Sequence, residues 1–236
     1  MNILAMFSHP DDIEVVCGGT LLKYKKQGHK IFLGLVTSGN QGSNEYASRE
    51  EIGAIREKEQ LEAAKFYDAE VRFLRFNDQR WFDTEEGRIA VLDTMRWADP
   101  DVIFTSWPGD PSVDHRITGQ MVADLMLSLP GKLLPANESP IQKVPSLFFG
   151  DTGAAEFIPE VYVDISEELE DKVEALGCHV SQFEWMRRVG SLKDFDIGQM
   201  PRIVNAFRGQ QVGCKYAEGF RAHRIHGYMP DFKLLP

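Results

Sequence analysis

The chain has few cysteines, fewer basic than acidic residues, and no long apolar run. Its three cysteines, Cys17, Cys178 and Cys214, are widely separated and form no CxxC pair, so a disulfide framework or a zinc–thiolate site fits poorly. With 26 lysines and arginines against 36 aspartates and glutamates, the net charge of −10 argues against general nucleic-acid binding. No apolar stretch approaches the roughly 20 residues of a membrane span, and no basic leader precedes the first apolar run. These absences predict a cytoplasmic protein with reduced cysteines.

Apolar segments alternate with amphipathic segments over the first half of the sequence. The segments "NILAMFS", "IFLGLVT", "EVRFLRF" and "PDVIFTSW" have the character of buried strands. Helical patterns follow them, beginning with "GGTLLKYKKQGHK" (18–30) and a helix over 48–67 with a capping-box spacing. This alternation predicts right-handed βαβ units and a Rossmann-like, mostly parallel α/β sheet with helices on both faces.

The second half of the sequence is less regular. Strands are predicted over 144–151 and 160–166, a long helix over 167–188 capped by Ser166, and a last helix over 200–213. No linker rich in proline, glycine or serine separates the two halves, so a single domain over 1–236 is predicted.

Two polar clusters follow predicted strands. "SHPDD" contains His9, Asp11 and Asp12, and "PGDPSVDH" contains Asp114 and His115. Rossmann-like sheets place their binding sites in loops beyond the carboxyl ends of the strands, where both clusters are expected. His9, Asp12 and His115 form a set of two histidines and one carboxylate that suits a catalytic zinc ion. Iron in oxygenases uses the same set, so these residues leave Zn²⁺ and Fe²⁺ as alternatives.

Asp11 stands next to this ligand set and is free to act as a base. A metal-bound water has a pKa of about 7, and a neighbouring carboxylate can take its proton during attack on a carbonyl carbon. An "HPDD" tetrapeptide alone is more often a polar turn. A strand before it, a glycine pair after it and "DH" after a later strand favour metal-assisted hydrolysis of an amide or ester.

Four segments follow one another along the chain: "HPDDIE…GGTL", "IREKEQLEAAKFYDAEVRFLRFND", "GDPSVDHRITGQMV" and "VYVDISEELEDKVEALGCHVSQ". In these segments, and in their order, the sequence resembles the LmbE-like family of phosphatidylinositol-glycan class L and N-acetylglucosaminide deacetylases. The resemblance implies a Rossmann-like fold and a zinc-dependent enzyme that removes an acetyl group from an N-acetylated amino sugar or glycoside. It also implies assembly into trimers or hexamers.

The resemblance implies further roles for matching positions. Arg56 corresponds to an arginine that contacts substrate, and Asp78 to a carboxylate that hydrogen-bonds sugar hydroxyls. His179 matches a position often near the active site, with a buried structural histidine as the alternative. Asp114 corresponds to a catalytic aspartate that assists a neighbouring histidine.

One position departs from the family pattern. The family commonly has His-Pro-Asp-His where this chain has "SVDH", so Ser112 replaces a histidine expected to stabilise the oxyanion or protonate the leaving amine. A serine hydroxyl can donate a hydrogen bond but cannot carry a proton at neutral pH as imidazole does. Either another group such as His179 or Asp11 takes this role, or the chain is a weakly active or silent relative that binds a glycan. A hydrolase of another amide or ester is a further alternative.

Overall fold

A computed structural model describes residues 1–152, 156–188, 198–225 and 227–236. Its strands are β1 Asn2–Phe7, β2 Lys30–Thr37, β3 Glu70–Phe76, β4 Val102–Ser106, β5 Ser146–Gly150, β6 Val161–Asp164 and β7 Ala217–Ala222. Its helices are α1 Asp12–Lys26, α2 Arg49–Ala64, α3 Glu85–Ala98, α4 Val113–Leu125, α5 Leu169–Leu176, α6 Val180–Arg188 and α7 Met200–Val212.

The strands form one sheet in the order β3-β2-β1-β4-β5-β7-β6. Strands β1 to β5 pair in parallel, whereas β7 pairs antiparallel with both β5 and β6. The chain leaves β1 toward β2 and β3 and later returns to place β4 on the other side of β1. The carboxyl ends of β1 and β4 therefore meet at the switch point of the sheet, which is where such folds bind ligands.

Each face of the sheet has its own apolar core. Along β1, Ile3, Ala5 and Phe7 belong to the core beneath α1, whereas Leu4 and Met6 belong to the core beneath α3 and α4. Side chains alternate between faces along a strand, so a strand buried on both sides is apolar at every position. The predicted Rossmann-like sheet with helices on both faces is confirmed.

The predicted start of the first helix is wrong. Helix α1 begins at Asp12, not near Gly18, because the Asp12 carboxylate accepts a hydrogen bond from the His9 amide at 2.8 Å and closes the first turn. The glycine pair lies inside α1, where a Cβ on Gly19 would come within 2.8 Å of Ile165. The glycines thus permit close packing and do not start the helix.

The helix predicted over 167–188 is two helices. It breaks between α5 and α6, and the intervening His179 is turned into the interior to reach Glu14. Ser166 does not cap α5, since its hydroxyl bonds Asp164 and the helix begins at Leu169. Strand β7 was not predicted, because its sequence "AEGFRA" lacks the apolar, β-branched character of a strand.

Candidate metal centre and active-site cavity

The two polar clusters predicted from the sequence lie together at the switch point. His9, Asp11 and Asp12 occupy the turn between β1 and α1. Asp114 and His115 lie in the first turn of α4, not in the loop before it. Since β1 and β4 are neighbours in the sheet, the two clusters meet.

Three side chains present ligand atoms to one another. His9 Nδ1 lies 3.1 Å from His115 Nε2 and 3.3 Å from Asp12 Oδ2, and His115 Nε2 lies 3.2 Å from Asp12 Oδ1. The ligand atoms of this set all lie within 4.8 Å of one another. Two imidazole nitrogens and a carboxylate directed at one point are the donor set of a transition-metal site, so these residues fit the ion that the sequence implies.

The other nitrogen of each histidine faces a carboxylate. His9 Nε2 lies 3.1 Å from Asp114 Oδ2 and 3.2 Å from Asp78 Oδ1. His115 Nδ1 lies 3.0 Å from Asp110 Oδ1. A histidine that ligates a metal usually donates its second N–H in this way, which fixes its tautomer and raises its basicity. These contacts leave His9 Nδ1 and His115 Nε2 as the nitrogens with a free lone pair.

Asp110 was missed by the sequence analysis. It is 1% exposed, and its carboxylate also accepts hydrogen bonds from the Ser112 amide and the Thr152 hydroxyl. A signal was available, because an aspartate five residues before a proposed ligand in the same segment is an obvious acceptor for the histidine's second nitrogen. A second group of donor atoms, from His9, Asp78 and Asp114, also lies within 4.8 Å.

The cluster strongly attracts positive charge. Burial opposes protonation of His9, but Asp12, Asp114 and Asp78 outweigh it and hold the pKa of His9 well above its ordinary value. Burial acts to lower the pKa of His115, but Asp12 and Asp110 raise it to about 10. Burial also acts to raise the pKa of Asp12, yet the two imidazoles hold that pKa well below its usual range. The negative charge that favours protonated imidazoles also favours a metal cation in place of those protons.

Asp11 is set apart from the ligand set by its backbone. Its φ of 98° and ψ of −29° are left-handed, a region that non-glycine residues seldom occupy. Arg56 Nη2 lies 3.1 Å from Asp11 Oδ1 and also donates to the Pro10 carbonyl. Burial raises the pKa of Asp11 above its ordinary value, and Arg56 opposes the rise. A carboxylate with a raised pKa is a stronger base, as proton abstraction requires.

The remaining predicted site residues differ in how they relate to the cavity. Arg56, Asp78 and Ser112 line it, although Arg56 is 3% exposed and Asp78 already contacts His9 and the Gln41 amide. Burial acts to raise the pKa of Asp78, but hydrogen bonding to His9 lowers it to about 2. His179 is fully buried behind the turn and bonds Glu14, so it matches the alternative of a buried histidine.

The cavity wall also includes residues that the sequence analysis did not assign to a site. They are contributed by the segment after β2, the segment after β3 and helix α6: Gln41, Gly42, Gln79, Gln182 and Trp185. Helix α6 is separated from the ligand set by many residues in the sequence, so no local motif could have placed Trp185 there.

Comparison with known proteins identifies the family. The family model described as GlcNAc-PI de-N-acetylase, PIG-L, matches residues 4–126, just over half of the chain. This chain belongs to the PIG-L family. The resemblance to LmbE-like deacetylases seen in the sequence is thereby confirmed, and the matched residues include the His9 turn, β4 and the His115 turn of α4.

Two relatives with similar sequences are named as deacetylases. A probable N-acetyl-alpha-D-glucosaminyl L-malate deacetylase 2 of Bacillus anthracis is 28% identical over 191 residues, covering 77% of this chain and 81% of that protein. A diacetylchitobiose deacetylase of Thermococcus kodakarensis is 28% identical over 229 residues, covering 93% of this chain and 82% of that protein. Both names describe removal of acetyl groups from compounds that contain N-acetylated glucosamine units.

Solved structures share the fold. The N,N'-diacetylchitobiose deacetylase of Pyrococcus horikoshii superposes with a TM-score of 0.82 at 24% identity, covering 98% of this chain and 86% of that one. The hydratase GalB of Pseudomonas putida superposes with a TM-score of 0.77 at 17% identity, covering 97% and 100%. Since a hydratase shares the fold, the fold alone does not determine the reaction, which depends on the residues of the site. Among the described residues, no helix is both long and apolar enough to span a bilayer.

Proposed function

We propose that this protein is a zinc-dependent hydrolase that removes the acetyl group from an N-acetylated amino sugar or sugar conjugate. The observation that carries the proposal is the convergence of His9 Nδ1, Asp12 and His115 Nε2 beside Asp11 at an open cavity. The deacetylase relatives support amide hydrolysis as the reaction and an acetylated amino sugar as the substrate class. Fe²⁺ is the alternative metal for the same ligands.

His9, Asp12 and His115 would hold the ion. Once bound, it would supply Lewis acidity to polarise the substrate carbonyl and lower the pKa of a water molecule. Asp110 would fix the tautomer of His115, and Asp114 that of His9, so that each donor nitrogen faces the ion.

Asp11 would take the proton from the attacking water and return it to the leaving amine. Its carboxylate lines the cavity, and its pKa is raised by burial. Arg56, held against Asp11 and the Pro10 carbonyl, would favour the charged form of the base before attack. In the described part of the cavity wall, His9 is the only imidazole, so Ser112 leaves Asp11 as the nearest candidate for both proton transfers.

The cavity wall suits a sugar. Gln41, Gln79 and Gln182 offer amides to hydroxyl groups, and Trp185 offers an aromatic surface to the apolar side of a pyranose ring. Asp78 and Arg56 would complete the polar wall as the family resemblance implies. Assembly into trimers or hexamers and a cytoplasmic location remain predictions of the sequence.

The first test is the metal content of the purified protein, measured together with deacetylation of N-acetylated glucosamine derivatives. About one zinc or iron per chain is expected, with none in His115→Ala. The matched control is His29→Ala, since His29 is half-buried and contacts the N-terminal amine outside the site. Equal metal in the His115→Ala variant and the parent would contradict the ligand assignment.

Ser112 favours a second candidate, a family member that binds an acetylated glycan without hydrolysing it. This candidate predicts bound metal and saturable sugar binding by calorimetry with no release of acetate. Release of acetate that stops after removal of the metal supports the deacetylase proposal and excludes the second candidate.

A further inference from the structure

Glu14 is a fully buried acid close to the candidate active site that the proposed reaction does not use. It lies in the first turn of α1 and is 0% exposed. Its Oε1 accepts a hydrogen bond from Gln60 Nε2 at 3.0 Å, and its Oε2 lies 3.1 Å from His179 Nε2. Both carboxylate oxygens are therefore engaged by side chains from other elements, namely α2 and the junction between α5 and α6.

Gln60 connects Glu14 to Asp11. The Gln60 side chain is 0% exposed, and its Oε1 accepts a hydrogen bond from the Asp11 amide at 3.3 Å. A carboxylate only accepts hydrogen bonds, so Glu14 requires the NH₂ group of Gln60 to face it. The carbonyl oxygen of the same amide must then face the Asp11 N–H. Glu14 thus ensures that the oxygen of the Gln60 amide, and not its NH₂ group, faces the backbone N–H of Asp11.

Asp11 needs such support because of its backbone. A non-glycine residue at φ 98° lies in a sparsely populated region, and such a conformation persists only when the surroundings hold it. Two residues one turn apart on α2 provide this hold. Gln60 binds the Asp11 amide, and Arg56 binds the Asp11 carboxylate and the Pro10 carbonyl.

We propose that Glu14 and Gln60 are positioning residues that keep Asp11 in its left-handed conformation and direct its carboxylate into the cavity. His179 is part of the same unit, since its Nε2 contacts the second oxygen of Glu14 from the opposite side. The inference rests on the proposed role of Asp11 as the base. It gives the buried Glu14, which contacts neither the cavity nor the metal ligands directly, a function in turnover.

The test uses Gln60→Met, which preserves volume but removes both hydrogen bonds, and Glu14→Gln, which preserves shape but removes the obligate acceptor. We expect kcat to fall about tenfold or more in each, because a misplaced catalytic group loses rate steeply with small displacements. The KM and the bound metal should stay within about twofold of the parent, since the ligands and the sugar-facing wall are untouched. Hydrogen exchange at the Asp11 amide should become faster.

The matched control is Glu218→Gln. Glu218 is equally buried and also bonds α1, through Gly19 and Thr20 in the middle of the helix. This variant should lose thermal stability and keep the kcat of the parent. A double-mutant comparison adds a second readout: in an Asp11→Asn background, Glu14→Gln should reduce kcat less than twofold further.

The proposal is overturned if Gln60→Met and Glu14→Gln lower kcat no more than Glu218→Gln does, or if their effects multiply fully with that of Asp11→Asn. If Gln60→Met does not fold, Glu14→Gln and the double-mutant comparison decide. A parent protein that hydrolyses no amide would instead refute the proposed function. In that case hydrogen exchange at the Asp11 amide of the variants decides, at constant metal content. Faster exchange supports the positioning role, and unchanged exchange overturns it.

Discussion

Two charged clusters of opposite character lie against helix α1. At its N-terminus, His9 and His115 are surrounded by more carboxylates than they can balance, and the cluster opens into a cavity. The aspartates of this cluster are Asp11, Asp12, Asp78, Asp110 and Asp114. One of their oxygens, Asp114 Oδ1, is buried without a hydrogen-bond partner among the described residues.

The second, closed cluster lies beside the middle of α1, and its charges are paired and shielded from solvent. Lys172 and Glu218 are 0% and 1% exposed and form an ion pair at 2.6 Å. The Lys172 ammonium donates further hydrogen bonds to the Val15 carbonyl at 2.9 Å and to Asn205 at 3.0 Å. The Glu218 carboxylate accepts from the backbone and hydroxyl of Thr20 as well as from Gly19.

The difference distinguishes a ligand site from a structural site. In the buried pair, one cation meets one anion and every donor of the ammonium has an acceptor, so nothing further is needed for neutrality. At the N-terminus of α1, surplus negative charge lies beside the cavity, together with the unpaired Oδ1 of Asp114. Such a surplus fits a site for a cation, because buried charges persist only when they are paired or coordinate a metal.

The largest effect is expected at the open cluster. Replacing Asp11 by asparagine should reduce kcat by about 10²–10⁴-fold, since the amide cannot accept the proton of the attacking water. Bound metal should be unchanged, because Asp11 is not in the ligand set. Steady-state kinetics and elemental analysis measure both. An Asp11→Asn variant that turns over like the parent would remove the base from the mechanism.

A substitution in the closed cluster should lower the stability of the protein and leave metal binding unchanged. Replacing Lys172 by methionine leaves Glu218 charged and unpaired, which typically costs about 3–5 kcal/mol. For a chain of this size that corresponds to a Tm lower by roughly 10 °C. Metal content should stay at the level of the parent. Loss of metal together with stability would show that the two clusters are not independent.

The sequence predicted the open cluster well and the closed one not at all. His9, Asp11, Asp12 and His115 follow strands in short polar motifs, and parallel strands bring their carboxyl ends to the same edge. That rule operates on local sequence and needs no knowledge of packing. Lys172 and Glu218 come from α5 and β7, and nothing near either residue indicates its partner.

Two other misses have the same cause. The long helix predicted over 167–188 breaks because His179 turns inward to a carboxylate on α1, a tertiary contact that helical periodicity cannot report. Trp185 lies on the second of these helices, α6, and lines the cavity, which no pattern in the neighbouring sequence indicates. Asp110 differs, because its place before His115 in the chain made it predictable from the needs of a metal-bound histidine.

Asp110 tests whether support around the ligands matters as well as the ligands themselves. Replacing it by asparagine retains the shape but weakens the acceptor for His115 Nδ1, which lies 3.0 Å away. Loss of such a partner typically lowers metal affinity about 10–100-fold. Competition with a chromogenic chelator would measure the change. The control is Asp101→Asn, which removes a carboxylate that bonds the Asn2 amide and Lys143 away from the cavity.

Substitution of Ser112 offers a test in which activity is expected to rise and not to fall. Its side chain makes no capping hydrogen bond, and its backbone amide and carbonyl bond Asp110 and the Arg116 amide, so histidine can replace it without breaking an existing side-chain contact. An imidazole there would line the cavity beside Asp114 and could protonate the leaving amine. In other enzymes, removing one hydrogen-bond donor to the developing charge lowers kcat about 10²–10³-fold. A histidine inserted at position 112 without its own supporting contacts should therefore raise kcat by only about tenfold. Ser112→Ala is the matched control and should change kcat less than threefold, since the imidazole and not the loss of serine carries the gain. If Ser112→His matches Ser112→Ala, Asp11 already performs both proton transfers, and the cluster at the end of α1 is complete without the histidine.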